Sequence, residues 1–325
     1  MRPHIATLWL AALLSAAASP AAAAQRAECI APAKPGGGFD LTCRLLRDML
    51  GLQQPAPVAE VEIRYLPGGV GALAFDRAVT QHWGDPNAFI AFSTGSLVNL
   101  AQGKFGPHGA DQVRWLATLG AEYGIVAVRK DSPLETLAAI RTRLRADPAG
   151  IVFGAGGGAG SQDWMKAALL VKAAGRDHRA MRFVSFEGGG QAIAALRGGH
   201  VDVFCGDAAE ATQAFLAGEL RLVAVLAPHR LHGPLARVPT AREQGMDIVW
   251  TTVRGLYMGP AVPPRDYDEW TRTLRRIMAS PRFAQLARAR GLEPRPMTGR
   301  DVQQHVEAEV VRMRELARSL GLPVR

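Results

Sequence analysis

Four times after Gln25, a short apolar run ends in glycine and small polar residues and opens directly into a helical pattern. The endings are "APAKPGGGFD", "FSTGS", "FGAGGGAGS" and "SFEGGG". Other strand and helix patterns lie between them, such as "VEIRYLPGG" before "VGALAFDRAVTQ" and "VDVFCGD" before "AEATQAFLAGE". "QVRWLATLG" and "GIVAVRK" add two further strand patterns. A chain alternating in this way folds as α/β, with a mostly parallel sheet flanked by helices. Ligands of such sheets bind outside the carboxyl ends of the strands. All four glycine-rich endings lie there and can converge on one site.

Their chemistry points to an anion. The first N–H groups of a helix have no internal partner, and the helix dipole makes that end partly positive. Glycines let these donors come close to a ligand. Loop 36–40 therefore reads as one backbone cradle, with Asp40 capping the helix behind it. "GAGGGAGSQD" reads as a second, with Ser161 as the helix N-cap. Ser132 is expected to cap the helix in "SPLETLAAIRTRLRAD". Two long helices are expected at about 264–290 and 299–320.

Of the 325 residues 48% are apolar, so a core is available, and the 6% of aromatics favours closely packed α/β layers over an all-β sandwich. Residues 1–24 read as a signal peptide. Arg2 and His4 precede "IATLWLAALLSAAA", and Ala22 to Ala24 fit a cleavage site before Gln25. The apolar run is too short for a convincing membrane span. The mature chain is expected to be exported, soluble and periplasmic. Of three cysteines, Cys29 and Cys43 flank the first glycine loop. They either close a loop of about 15 residues or stand as two small buried hydrophobes. With Cys205 the count is odd, which leaves at least one thiol free.

The formal charge of +9 favours anionic ligands. The arginines are scattered over helices such as "RTRLRADP", with no basic run interleaved with aromatics, so nucleic acid is not the expected partner. "GAGGGA" at Gly154–Ala159 matches a dinucleotide fingerprint, but the acidic residue needed about 20 residues on is missing. There is no G-K-[ST], H-E-x-x-H, G-x-S-x-G or C-x-x-C motif. An exported hydrolase acting on a carboxylate, with Ser161 at its site, is the alternative. It needs a base beside Ser161.

From about residue 27 to 322 the motifs follow in a particular order. A P-G-G-G-x-D loop opens a helix, and "LPGGVGALA", "FSTGSLVNLAQGKF", "GAGGGAGSQD" and "FVSFEGGGQAIAALRGGHVDVF" come next. "GELRLVAVLA", "VPTAREQGMDIVW" and "RGLYMGPAVP" complete the series. In this order they resemble the periplasmic receptors of tripartite tricarboxylate transporters, the TctC or Bug family. The resemblance implies a two-lobed periplasmic binding fold of the Venus-flytrap, type II-like kind. Lobe one would be 27–125 plus 237–325 and lobe two 126–236, with crossings near Val126–Val128 and Ala227–Pro239. It implies a monomeric, non-catalytic receptor with no cofactor or metal, serving integral-membrane permease subunits.

The resemblance also implies a site. Gly37, Gly38, Phe39 and Asp40 on one lobe, and Gly158, Ala159, Gly160, Ser161 and Gln162 on the other, would pinch a ligand carboxylate. Thr94, Gly95 and Ser96 fit further contacts, and Gly188 of the fourth loop joins them. Phe39 departs from the Thr or Ser common in the family, and Lys34 replaces a proline. Arg254 stands where the family often has an aromatic. Pointing inward, it offers a bidentate fork for a second or third carboxylate. The alternative is a surface or interlobe salt bridge. An inward Arg254 favours a di- or tricarboxylate, with citrate as the leading expectation. Asp207 would recognise an amine or hydroxyl of the ligand, or cap a helix.

Overall fold

The computed structural model describes residues 26–325. The signal-peptide reading lies outside the described residues. The first part of the chain forms β1 (Arg26–Ala31), α1 (Gly38–Leu50), β2 (Glu60–Tyr65), α2 (Ala72–Thr80), β3 (Ala88–Ser93) and α3 (Thr94–Ala101). β4 (Arg114–Arg129) and α4 (Leu137–Ala146) follow. The middle carries β5 (Val152–Gly156), α5 (Gln162–Ala173), β6 (Arg182–Phe186), α6 (Gly189–Arg197), β7 (Val203–Phe204), α7 (Ala208–Leu216) and β8 (Leu220–Leu226). The last part forms β9 (Thr251–Met258), α8 (Pro264–Met278), α9 (Pro281–Ala289), β10 (Glu293–Thr298) and α10 (Arg300–Ser319).

The parallel, helix-flanked strands expected from the β/α rhythm lie on the two outer sides. β1 pairs in parallel with β2 and β3, and β5 with β6 and β7. Between them runs an antiparallel seam, in which β9 joins β3 to β4 and β4 also pairs with β7, β8 and β10. The resulting order is β2-β1-β3-β9-β4-β7-β5-β6.

β4 explains how two sheets become one frame. The two strand patterns read in this segment merge into one strand of 16 residues. Its first part, up to Tyr123, pairs with β9, and its second part, from Gly124, pairs with β8. The chain thus passes from one sheet to the other at Tyr123–Gly124. It returns late. After β8 it stays beside that strand through Val225 N–H to Pro239 O (2.9 Å), Ala241 N–H to Val225 O (2.9 Å) and Trp250 N–H to Leu226 O (2.8 Å). Thr251 then pairs with Tyr123 on the other sheet. We propose lobe limits of 26–123 with 251–325, and 124–250, in place of a return near Ala227–Pro239. The proline-containing stretch "ARVPT" has no strand periodicity, so its attachment to β8 does not show in the sequence.

Two helix readings change for local reasons. α4 begins at Leu137 with the Thr136 hydroxyl accepting from Ala139 N–H at 3.1 Å, while Ser132 closes a turn by accepting from Leu134 N–H at 3.2 Å. The long helix expected over 264–290 breaks at Ser280, which caps α9 through Phe283 N–H at 3.2 Å, and Pro281 cannot continue the preceding turn.

Cys29 on β1 and Cys43 on α1 form a disulfide across the first glycine loop, with Cα atoms 5.5 Å apart. Cys205 is a buried free thiol. The bond ties the loop's strand to its helix, so the loop's ends are fixed before any ligand arrives. Replacing both cysteines by alanine is expected to lower unfolding free energy by about 3 kcal/mol, the value for closing a loop of about 15 residues. Urea unfolding measures this. Coincident curves for variant and wild type would contradict it.

Candidate functional site

The carboxyl ends of β1, β3, β5 and β6 meet over the seam around a partly open cavity of about 30 Å³. One lobe contributes Gly37, Gly38 and Phe39, the other Gln162, Gly188 and Glu210, and Arg254 of β9 forms its base. That volume holds a water or two.

Arg254 organises the floor. It is 2% exposed, and its Nε donates to Glu122 of β4. Its Nη2 donates to Asp207 Oδ2 at 3.0 Å and to Glu210 Oε1 at 3.2 Å. Gly38 is required here by close approach, because a Cβ at that position would run into the guanidinium. Glu210 Oε1 also accepts from Gly38 N–H at 2.9 Å. The protein's own carboxylate therefore occupies the N-terminus of α1. The first turn of α6 lies on its other side, and a Cβ at Gly189 would collide with the same carboxylate.

A second cation stands behind the first. Lys166 of α5 is fully buried, and its Nζ donates to Asp207 Oδ1 at 2.6 Å, Gly206 O at 2.9 Å and Asp163 Oδ1 at 3.1 Å. It also sits over the Trp250 ring at 5.8 Å. Asp163 Oδ2 accepts from Gly156 N–H at 2.8 Å and so pins the end of β5. Glu122 Oε2 accepts from Ala209 N–H at 2.6 Å and satisfies a first-turn donor of α7.

Four carboxylates thus share two cations. Burial pushes Glu122 up to about 7 and Glu210 up to about 8; Arg254 opposes this in both and Asp207 reinforces it. Asp163 is raised by burial too, with Lys166 opposing. Burial also disfavours the Asp207 anion, but Lys166 and Arg254 outweigh it and hold Asp207 below its usual range. Both cations stay charged, since their carboxylate partners overcome the burial that lowers them.

The residues singled out from sequence divide into two groups. Gly37, Gly38, Phe39, Gln162, Gly188 and Arg254 line the cavity. The others support it. Asp40 does not cap α1 as expected. Gly37 holds the N-cap position, and Asp40 reaches back from the first turn to accept from Gly36 N–H at 2.9 Å, from Arg44 at 2.9 Å and from Tyr65 at 2.8 Å. Thr94 accepts from Val253 N–H at 2.9 Å, and Ser93 and Ser96 form a capping box around Gly95. Ser161 caps α5 through Trp164 N–H at 3.3 Å. Gly160 O accepts from Gln102 of the other lobe at 2.6 Å, and Ala159 O from Lys104 at 2.5 Å. Gly158 is exposed, as is Lys34. Asp207 has all its bonds inside the protein, including Gln162 Nε2 and Thr252 Oγ1, both at 2.8 Å, so it does not face the cavity as a ligand contact. Arg254 points inward and is also an interlobe salt bridge, made through its Nε and Nη2.

Sequence reasoning missed Glu122, Asp163, Lys166 and Glu210. A signal existed in α5, where Asp163 and Lys166 stand at i,i+3 within "QDWMKAALLVKA", a helix otherwise made largely of apolar residues. Glu122 and Glu210 carry none, because single acidic residues normally face water.

Residues 107–322 match the family model described as "Tripartite tricarboxylate transporter family receptor". The chain belongs to this family. It is 24% identical over 291 residues to the UPF0065 protein in the gbd 5' region of Cupriavidus necator, a span of 88% of this chain and 85% of that one. Its fold matches an R. palustris protein solved with adipate (TM-score 0.81, 22% identity, 92% of this chain and 98% of the other). It also matches MatC of Rhodopseudomonas palustris with bound malate (TM-score 0.75, 22% identity, 90% and 98%) and the periplasmic binding protein BugD (TM-score 0.79, 19% identity, 92% and 99%). These are two-lobed periplasmic binding proteins, and members of the tripartite receptor family bind substrates without transforming them. Ser161 is accordingly a helix cap and not a nucleophile. Among the described residues no helix is long and apolar enough to cross a membrane.

Removing Arg254 leaves three buried carboxylates without their shared cation. Arg254→Met is expected to cost about 3–5 kcal/mol at pH 8, and less at pH 5, where the carboxyls can take up protons. An equal cost at both pH values would contradict the network's charge state. Glu122 and Glu210 bind protons more tightly folded than unfolded, with values raised from 4.5. The stability they contribute is complete below about 4.5 and is lost as pH rises through about 7 and 8. Asp207 acts in the opposite sense, with its contribution lost only as pH falls below its usual value of 3.8. Thermal midpoints should therefore fall between pH 5 and pH 8.5. Glu210→Gln should flatten that slope by up to about 1.4 kcal/mol per pH unit, one proton's worth. An unchanged slope would contradict the assignment.

Proposed function

We propose that this chain is a periplasmic receptor that captures a small organic carboxylate between its lobes and presents it to the integral-membrane subunits of a tripartite tricarboxylate transporter. The observation that carries this reading is the convergence of glycine-rich helix N-termini from both lobes on one cavity. The site is complete within one chain, which fits a monomeric receptor. Export through a signal peptide ending near Ala24 fits the same role.

The donors suit a carboxylate. First-turn N–H groups of α6 at Gly189 and Gly190 face Gly37 across the cleft, 3.8 Å from where its Cβ would stand. Loop 157–160 adds more backbone at the head of α5. Phe39 replaces a hydroxyl donor with an apolar wall. Adipate and malate in the similar proteins are acids of the same general size. The case for citrate weakens, because three carboxylates of the protein already share the Arg254 guanidinium through Nε and Nη2, which leaves less of it for a ligand. A ligand with one or two carboxylates suits the site better.

Binding works by population shift. The open form exposes the helix N-termini, the ligand bridges the lobes, and closure at Tyr123–Gly124 and Trp250–Thr251 creates the surface the permease recognises. The test is a thermal-shift screen of refolded protein against mono-, di- and tricarboxylates. A ligand at about 100 times its dissociation constant adds about 2.7 kcal/mol of stability. A selective rise with one class of carboxylate is expected. No rise with any carboxylate would overturn the reading.

A further inference from the structure

A second pocket lies on lobe one, between the end of α3 and α10. Its volume is about 120 Å³, and Arg314 and Arg325 line it with Leu100, Pro107, His108 and Val310. Among the described residues no acid lines it, and it shares no residue with the cleft cavity. Arg314 is half-buried, and its Nε is shielded from water with no hydrogen-bond partner. The helix explains why. Along α10 an acid could reach Arg314 only from three or four positions away. Those positions carry Val310, Val311, Ala317 and Arg318, and Glu309 is taken by Arg312. Arg290 has the same unmade Nε but pairs with Asp48, whereas Arg314 forms no ion pair among the described residues. A shielded charged donor left unmade is costly.

Arg325 is seated opposite by the turn after α3. Its backbone N–H donates to Ala101 O at 3.0 Å and its guanidinium to Gly106 O. Its stem lies on Gly103, where an added Cβ would stand 3.0 Å from Arg325 Cβ. Gly103 and Gly106 have φ of +70° and +67°, so this turn needs glycine at both positions. His108 closes one side as a fixed wall. Its Nδ1 is 3.0 Å from Gln112 Oε1 and its Nε2 is 3.1 Å from Asp76 Oδ1, which leaves no ring nitrogen for a ligand. Leu100, Pro107 and Val310 make the rest of the lining apolar.

We propose that this pocket is a second anion site, which binds a small oxyanion (phosphate, sulfate or the carboxylate of a short acid) between Arg314 and Arg325. A guanidinium presents a fork of donors that matches an oxyanion, and both guanidiniums here bring donors only. An oxyanion supplies the acceptor that Arg314 Nε lacks and the negative charge that α10 does not. The volume equals about four waters of liquid, which holds an ion of this size and little more. The site is built within lobe one alone, so it does not rest on the reading of the cleft.

The test titrates phosphate, sulfate and acetate calorimetrically into refolded protein at pH 7.5 and about 0.1 M salt, where the Debye length is about 10 Å. At least one of them should bind, and Arg314→Met should weaken that binding at least about tenfold, the equivalent of one charge-assisted hydrogen bond. Arg300→Met removes the same charge from the exposed start of α10. It lies about 21 Å away at 1.5 Å per residue and should change the affinity by less than about twofold. A crystal soaked in selenate gives a readout that needs no variant. Its anomalous selenium signal should lie against Arg314 and Arg325. Equal weakening by the two variants, selenium in the cleft alone, or no binding of any of the three anions would overturn the proposal, and each leaves the receptor reading of the cleft intact.

Discussion

Arg254 is one guanidinium shared by carboxylates from both lobes, and much of this protein is arranged around it. The residue sits on β9, the strand that closes the seam against β3 and β4. Glu122 reaches it from its own lobe, and Asp207 and Glu210 reach it from the other. A buried cation of this kind is costly unless every donor is matched. That demand explains Gly38, whose missing side chain gives the guanidinium room, and Gly189, which makes room for Glu210. It also ties lobe geometry to site chemistry. With the lobe limits proposed above, two of its three acids stand on the opposite lobe.

The network has a second consequence for specificity. At the N-terminus of α1 this chain has placed its own carboxylate, Glu210, on the Gly38 N–H. What remains in the cavity wall includes the first turn of α6 at Gly189, the ring of Phe39 and the Gln162 amide. Discrimination by unmatched buried groups is steeper than discrimination by size, because an unpaired donor or acceptor loses its full solvation.

Much of this was legible before the structure. The repeated strand endings point to the α/β class and to loops that converge, with Gly37, Gly38 and Phe39 in the cavity wall, because glycine and helix-start chemistry are local properties. The order of the motifs led to the family. What the sequence hid is long-range. The return of the chain at Trp250 depends on hydrogen bonds between segments without periodicity, such as Val225 with Pro239. The roles of Glu122 and Glu210 depend on partners 132 and 44 residues away. From sequence, Arg254 fits either a ligand fork or an interlobe salt bridge. Only the positions of three acids decide between those, and no spacing in the sequence encodes them.

The most direct measurement is a crystal structure of the ligand-bound protein at neutral pH. The account predicts that Arg254 keeps Glu122, Asp207 and Glu210, and that the ligand carboxylate lies on the amides of α6 and loop 157–160. A ligand carboxylate paired with the Arg254 guanidinium, with Glu210 displaced from Gly38, would contradict it.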